Sequence, residues 1–215
     1  MHDFLPFRRI FLLARNLLDS INQPKQGGFR MNIVLLNAAT LPRYRHALAA
    51  LMIDAIAHNM TPSFRQSRGL EQQQIAERYF HSLRDRLARH ELLLWVALND
   101  SGLVGSVQLS ICQRPDGQNR AEVLHLLVHS QTRREGIGHK LMQALEQKAE
   151  ACHRGLLYLD VMAGSPAEAF YRAQGYHYLG ELPDYSLRAD GHPHPGVIYY
   201  KRLRVSAPET AMTTY

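Results

Sequence analysis

Arg133, Arg134, Glu135, Gly136, Ile137 and Gly138 carry the residue types and spacing best suited to chemistry. Two guanidinium groups precede two glycines held one residue apart, and an amphipathic helical pattern follows. Such a turn at a helix mouth frees backbone N–H groups to donate, adds the positive end of the helix dipole and supplies the full charge of arginine. The ligand that suits it is a pyrophosphate. Two phosphate-binding readings do not fit. The turn lacks the Gly-Lys-Ser/Thr ending that sets a hydroxyl on magnesium in an ATP-binding loop, and it lacks the three-glycine spacing of a dinucleotide fold. The apolar run from Val123 to Val128 stops just before the turn, so the order is strand, glycine turn, helix.

A second block follows. Leu156 to Val161 reads as a buried strand, and Gly164-Ser165-Pro166-Ala167-Glu168 leads into Ala169-Phe170-Tyr171-Arg172-Ala173-Gln174-Gly175-Tyr176. Ser165 is expected to cap a short helix, Pro166 suits its first position and Glu168 completes a capping box. Gly175 ends the helix.

In this order the two blocks resemble the GCN5-related N-acetyltransferase (GNAT) superfamily. Arg133, Gly136 and Gly138 fill its Q/R-x-x-G-x-G/A signature, with Leu126, Val128 and Ile137 at flanking positions. Ser130 stands where the superfamily often has Pro, and Arg134 where Gly is common. Ala167, Phe170, Tyr171, Gly175 and Tyr176 match the second block, and Gly164 replaces a frequent Asn. Leu92 to Val96, Gln108 to Ser110, Asn119 to Val123, Arg154 to Asp160, Gly180 to Tyr185 and Ile198 to Lys201 are similar to the tabtoxin-resistance acetyltransferases. The likeness runs from about Met31 to Leu203.

The resemblance implies an α/β (α+β mixed) GNAT fold, a mostly antiparallel mixed sheet with central splayed parallel strands and helices on both faces. It implies acetyl-CoA as co-substrate, with no metal. The cofactor would lie against Leu126, Leu127 and Val128, the 133–138 turn, Ser165 and Tyr171. Unpaired N–H groups near Leu127 and Val128 would face the acetyl carbonyl, and Tyr171 would act as general acid to the CoA thiolate. Glu122 and Asp160 are the matching candidates for the base. Each residue also admits a structural role: Tyr171 as a core phenol, Glu122 bridging to Arg120, Asp160 capping the Gly164 turn. The implied activity is acetyl transfer to an amine or hydroxyl of a small molecule, such as an amino-acid-like toxin or antibiotic. Two other functions remain open: acetylation of a protein N-terminus or lysine, and non-catalytic sensing of acetyl-CoA. The protein would act as a monomer or homodimer.

The remaining polar residues are less telling. His125 and His129 alternate on one strand, opposite Glu122 if the strand is regular and on its side if a bulge intervenes. His192 and His194 are flanked by prolines, which reads as a loop rather than a zinc site. Trp95, Arg114, Asp184 and Tyr185 are candidate contacts to a small polar acceptor. The segment 182–196 would cover one end of the site.

Length and composition set limits on class. The chain has 215 residues, enough for one domain with an appendage, and a formal net charge of +6. Arg8, Arg9, Arg15, Lys25 and Arg30 against Asp3 and Asp19 supply much of that excess, and an anionic cofactor accounts for more. No basic stripe with interleaved aromatics indicates nucleic acid, and no apolar run is long enough to span a bilayer. Cys112 and Cys152 form no metal-type cluster, and a reduced cytoplasmic setting is expected. Arg8-Arg9 superficially matches an export signal, but Arg15 and Asp19 interrupt the apolar stretch. Residues 1–30 therefore read as an extension ending in a Gln23–Gly28 linker, with Met31 an alternative start. Residues 31–205 form the domain and 206–215 a flexible tail.

The elements that must position these groups follow from periodicity. Strands are expected at Ile33–Asn37, Leu92–Leu98, Leu103–Cys112, Ala121–Val128, 156–161, Tyr176–Glu181 and Val197–Arg204. Helices are expected at Leu41–Asn59, Leu70–Arg89, after Gly138 and at 166–174. Thr61-Pro62 begins a loop. Ile137, Leu141, Leu145 and Ala149 share one helical face, which must pack on a sheet.

Overall fold

Leu92 to Val96 is apolar at every position, the pattern of a strand covered on both sides, and it lies inside a seven-stranded sheet. The computed structural model describes residues 31–58, 70–187 and 191–205. The expectations for residues 1–30, for the loop at 61–69 and for the tail at 206–215 lie outside these residues. The strands are β1 (Asn32–Leu36), β2 (Leu92–Asn99), β3 (Gly102–Ile111), β4 (Arg120–Val128), β5 (Leu156–Met162), β6 (His177–Leu187) and β7 (Pro193–Arg202). Their order across the sheet is β1-β2-β3-β4-β5-β7-β6. Only β4 and β5 run parallel; the other neighbours are antiparallel.

Among the described residues five helices cover the sheet: α1 (Leu41–Ala57), α2 (Leu70–Ser82), α3 (Arg84–Ala88), α4 (Ile137–Ala151) and α5 (Pro166–Ala173). The period-two alternation of β2 sorts its side chains between two cores. Leu92, Leu94 and Val96 join Leu48, Met52 and Phe80 of α1 and α2. Leu93, Trp95 and Ala97 join Ile137, Leu141 and Leu145 of α4 on the opposite face. Each fully buried leucine contributes about 2 kcal/mol of transfer free energy. This is the mixed architecture with helices on both faces that the sequence leads one to expect.

Gly105 sets how closely α4 rests on the sheet. A Cβ there would lie 2.9 Å from Ile137 Cγ2 and 3.0 Å from Leu141 Cδ1. The first turn of α4 thus settles directly on β3, which fixes the glycine turn before it.

Three local expectations are corrected. The helix expected over 70–89 breaks at Leu83. The Ser82 hydroxyl donates to the Tyr79 carbonyl at 2.7 Å, and the Leu83 N–H bonds the Phe80 carbonyl three residues back. A serine hydroxyl competing for a helix carbonyl weakens continuation. Of the two proline-flanked histidines, His192 lies outside the strands as expected of a loop, whereas Pro193 and His194 begin β7. The described parts of segment 182–196 pair within the β6–β7 hairpin. The capping box does not form: the Ser165 side chain makes no cap bond, and Glu168 reaches past the Ser165 N–H to that of Gly164 at 2.7 Å.

Candidate active site

The parallel ladder between β4 and β5 is short. It pairs Arg120 with Leu156, Ala121 with Leu157 and Glu122 with Tyr158. Beyond Glu122 the strands separate, although β4 continues to Val128 and β5 to Met162. β4 stays paired with β3 up to Val128 and β5 with β7 up to Met162. The result is a cleft between two strand edges in mid-sheet. The His129 N–H bonds the Val104 carbonyl at 2.9 Å, so in the alternation of an antiparallel ladder Leu127 also turns its N–H to β3. Val128 turns its N–H and carbonyl to the cleft. Of the two N–H groups anticipated there, the free one belongs to Val128. The Leu127 side chain is buried in the core under α1 and α2, and that of Leu126 packs against the α4 side.

The glycine turn sits at the open end. Arg134 (φ 69°) and Gly136 (φ 79°) are both left-handed, which folds the chain so that successive N–H groups converge. Gly136 precedes α4 without a side-chain cap, and the first helical turn holds no acidic residue. A Cβ on Gly138 would lie 3.2 Å from the Phe170 ring, so this glycine lets α5 approach the turn. The Arg133 Nε donates to the Val128 carbonyl at 3.4 Å, while its Nη2 is buried and has no partner among the described residues. Glu135 is exposed.

Ser130 fixes the start of this loop. Its N–H and hydroxyl each donate to the Asp54 carboxylate of α1 at 2.7 Å. Burial raises the Asp54 pKa, but the two Ser130 bonds, with His129 and His58 nearby, bring it below the usual value. Asp54 carried no signal in the sequence. Ser130 carried a weak one, a hydrogen-bonding residue at a position where the superfamily often has proline.

Register places Glu122, Tyr158 and Asp160 on one face, the face of α1 to α3. Glu122 makes no ion pair with Arg120 among the described residues, and the Gly164 N–H is bonded by Glu168 rather than Asp160. The structural roles considered for the two carboxylates are therefore not the ones observed. Burial raises the Glu122 pKa, Asp160 adds to the rise and Arg86 opposes it. Asp160 lies on the exposed edge of β5, yet the protein crowded about its carboxyl raises its pKa, with a Tyr185 hydrogen bond acting the other way.

Tyr171 approaches the cleft from the opposite face. It is 6% exposed, with Phe170 and Tyr176 edge-on to its ring at 5.3 and 5.5 Å. Burial, then the Asp160 charge, push its pKa well above 10. The helix carrying it is pinned to β7 by Glu168, which accepts from Tyr199 at 2.7 Å and Arg172 at 2.8 Å. Ser165 lies at the start of that helix with its Oγ buried and unpartnered among the described residues.

β4 does carry a bulge. Ser106 pairs with Leu127 and Gln108 with Leu124, so three steps on β4 match two on β3. His125, at φ 46°, lies within it and meets Tyr79 of α2 edge-on at 5.4 Å, on the Glu122 side. Burial lowers the His125 pKa and favours the neutral ring. His129 instead caps the following turn through the Gln131 N–H. His194 is buried, with its ring bonded to the Pro195 carbonyl at 2.8 Å. Trp95 is a core residue on the α4 side and does not reach the acceptor face. Arg114 pairs with Asp116 at the closed end of the cleft. Asp184 and Tyr185 lie on β6, and Tyr185 joins the acid pair. Two further polar residues face the same side. Arg86 of α3 donates to Ser110 at 2.9 Å, and the buried Gln108 accepts from Tyr79 at 3.0 Å.

A mid-sheet cleft with a left-handed glycine turn at its mouth defines an acetyltransferase architecture, and comparison with known proteins agrees. Residues 53–176, more than half the chain, match the acetyltransferase (GNAT) family, and the chain belongs to that family. A curated relative, the probable N-acetyltransferase 14 of Danio rerio, is 36% identical over 92 residues, covering 41% of this chain. The match spans 31% of that relative's length. A ribosomal-protein-alanine N-acetyltransferase from Brucella melitensis superposes with TM-score 0.64 at 24% identity, covering 80% of this chain and 99% of its own. An acetyltransferase from Salmonella typhimurium, solved with its cofactor acetyl-CoA, gives TM-score 0.65 at 15% identity over 84% and 98% of the two chains. A phosphinothricin N-acetyltransferase structure gives 0.65 at 18% identity over 81% and 99%. At these identities the structural likenesses establish the fold. No helix among the described residues is long and apolar enough to cross a membrane.

Proposed function

We propose that this protein transfers the acetyl group of acetyl-CoA to the amine of a small molecule, with an amino-acid-like toxin or antibiotic as the acceptor class. The observation that carries this reading is the splay of β4 from β5 beneath the 133–138 turn, with Glu122 and Asp160 beside it. The residues present fit the cofactor. Arg133 keeps a buried guanidinium nitrogen without a partner, the turn is left-handed at two positions, and α4 opens without an acid. Arg133, Arg134, and the backbone of Glu135, Gly136, Ile137 and Gly138 would hold the pyrophosphate. The edge formed by Leu126, Leu127 and Val128 would pair with the extended arm, with Ser165 and Tyr171 across from it.

Acetyl-CoA supplies an activated acetyl thioester. The protein's residues do the rest. Val128 offers its N–H to developing negative charge in the cleft. Glu122 and Asp160, both raised in pKa, are suited to take a proton from an acceptor ammonium. The phenol of Tyr171 keeps its proton at its Oη for release on the sulfur side. Two features favour a small, amino-acid-like acceptor. Arg86 is half-buried on the Glu122 face, bonded to Ser110 and in no ion pair among the described residues, which suits it to a carboxylate. Tyr185 crowds the acid pair from the β6 side. The similarity to the tabtoxin-resistance acetyltransferases points to the same acceptor class.

The test is release of CoA thiol from acetyl-CoA across a panel of amino acids, small amines and peptides. Turnover is expected with amino-acid-like amines. Turnover with peptides alone would replace this reading with protein acetylation, and cofactor binding without any turnover would replace it with a sensor.

A further inference from the structure

The β6–β7 hairpin carries an irregularity that serves no evident purpose in the sheet itself. Leu182 pairs with Gly196 and Ser186 with His194, so four steps along β6 match two along β7. Pro183, Asp184 and Tyr185 fill the excess, and Asp184 sits at φ 55°, a conformation that costs a side-chain-bearing residue energy. Strained bulges persist where they re-aim a side chain, and here the side chain is Tyr185. Its ring lies over Gly196, where any Cβ would collide with the ring.

Gly196 pairs with Met162 and Ile198 with Asp160, so Gly196 shares its face with Asp160, Tyr158 and Glu122. Tyr185 is thereby delivered onto the face of the acid pair, where its hydroxyl acts to hold the Asp160 pKa down against the rise that burial causes. The other groups about Asp160 are Glu122 on β4, Tyr158 on β5 and Tyr171 on α5, with Arg86 of α3 acting on Glu122.

We propose that Tyr185 is a positioning residue that holds the Asp160 carboxylate toward the acceptor amine, and that the β6 bulge and Gly196 exist to place it. The inference rests on the acetyltransferase reading above. A hydroxyl that donates to a carboxylate favours the ionised form, so Tyr185 sets the pH at which Asp160 is ready to accept a proton.

The experiment uses the full chain and Tyr185→Phe, which keeps the ring and removes the donor. Titration of the Asp160 carboxyl is followed by carbon NMR and assigned with Asp160→Asn. The Asp160 midpoint is expected to move to higher pH in Tyr185→Phe, and the acid limb of kcat/KM to move with it, while KM for acetyl-CoA stays unchanged. Gly196→Ala, which displaces the ring but keeps the hydroxyl, should shift the midpoint in the same direction. An Asp160 midpoint identical in wild type and Tyr185→Phe overturns the inference. Because NMR reads the carboxyl without turnover, a protein that acetylates no amine is a failure of the proposed function and is recorded separately.

Discussion

Ser130 gives both of its donors, backbone N–H and side-chain hydroxyl, to the two oxygens of the Asp54 carboxylate, each at 2.7 Å. One carboxylate on α1 thereby fastens the chain at the point where β4 ends and the glycine turn begins. Ser130→Ala should cost about 1 kcal/mol, since it leaves a half-buried carboxylate short of one partner. The folded pKa of Asp54 lies below its usual 3.8. Its contribution is therefore complete above that value and is lost as pH falls through the lower folded pKa. Urea unfolding should show the gap between wild type and Ser130→Ala narrowing through the acid range. A gap independent of pH would mean that the carboxylate is not the partner that matters.

Arg133→Ala should weaken acetyl-CoA binding roughly 10- to 100-fold, the loss of one or two charge-assisted hydrogen bonds. Gly136→Ala isolates the backbone term. Nothing lies within 4 Å of its added Cβ, so the expected loss of about 1 kcal/mol comes from the left-handed conformation alone. Calorimetric titration with acetyl-CoA and thermal unfolding measure the two effects. Equal affinity in wild type and Arg133→Ala would place the pyrophosphate elsewhere.

Glu122→Gln and Asp160→Asn should each lower kcat, about 10²-fold for whichever is the principal base, with acetyl-CoA affinity preserved. The acid limb of the wild-type profile should lie above the ordinary carboxylate range, because both folded pKa values are raised. The same direction predicts a stability effect. A raised carboxyl contributes stability below its unfolded pKa and loses it as pH rises through the folded value. Both amide variants should therefore be more stable than wild type near pH 7, with the advantage gone near pH 4. Full activity in both single variants would remove the pair from the chemistry.

Tyr171→Phe should lower kcat by roughly 10-fold or more, within the range for loss of a general acid. Burial keeps the phenol protonated through the ordinary working range, so wild type should show no alkaline limb from this residue. Unchanged turnover would leave Tyr171 as a core residue packed edge-on against Phe170 and Tyr176.

Local pattern disclosed the parts of the site that depend on local pattern. The apolar run before Arg133, the glycine turn that follows it and the Ile137-Leu141-Leu145-Ala149 face are each determined within a few residues, and each forms as read. The parts that escaped depend on partners far along the chain. Asp54 and Ser130 are 76 residues apart. The two bulges arise from mismatched step counts between paired strands, which neither strand shows alone. That is why the side taken by His125 stayed open and Tyr185 could not be placed. Pro193 and Pro195 looked like loop residues, yet β7 accommodates them opposite a β6 long enough to pair across the stretch. Ser165 and Glu168 have the spacing of a capping box, but Tyr199 and Arg172 draw one carboxylate oxygen of Glu168 toward β7.

Only three residue pairs stitch β1 through β4 to β5 through β7. The sheet, though not the core that runs across it, is therefore two panels meeting at a narrow seam. An extended occupant that bonds both margins of the cleft serves as mortar as well as reactant, and loading should slow amide exchange along both inner strands together.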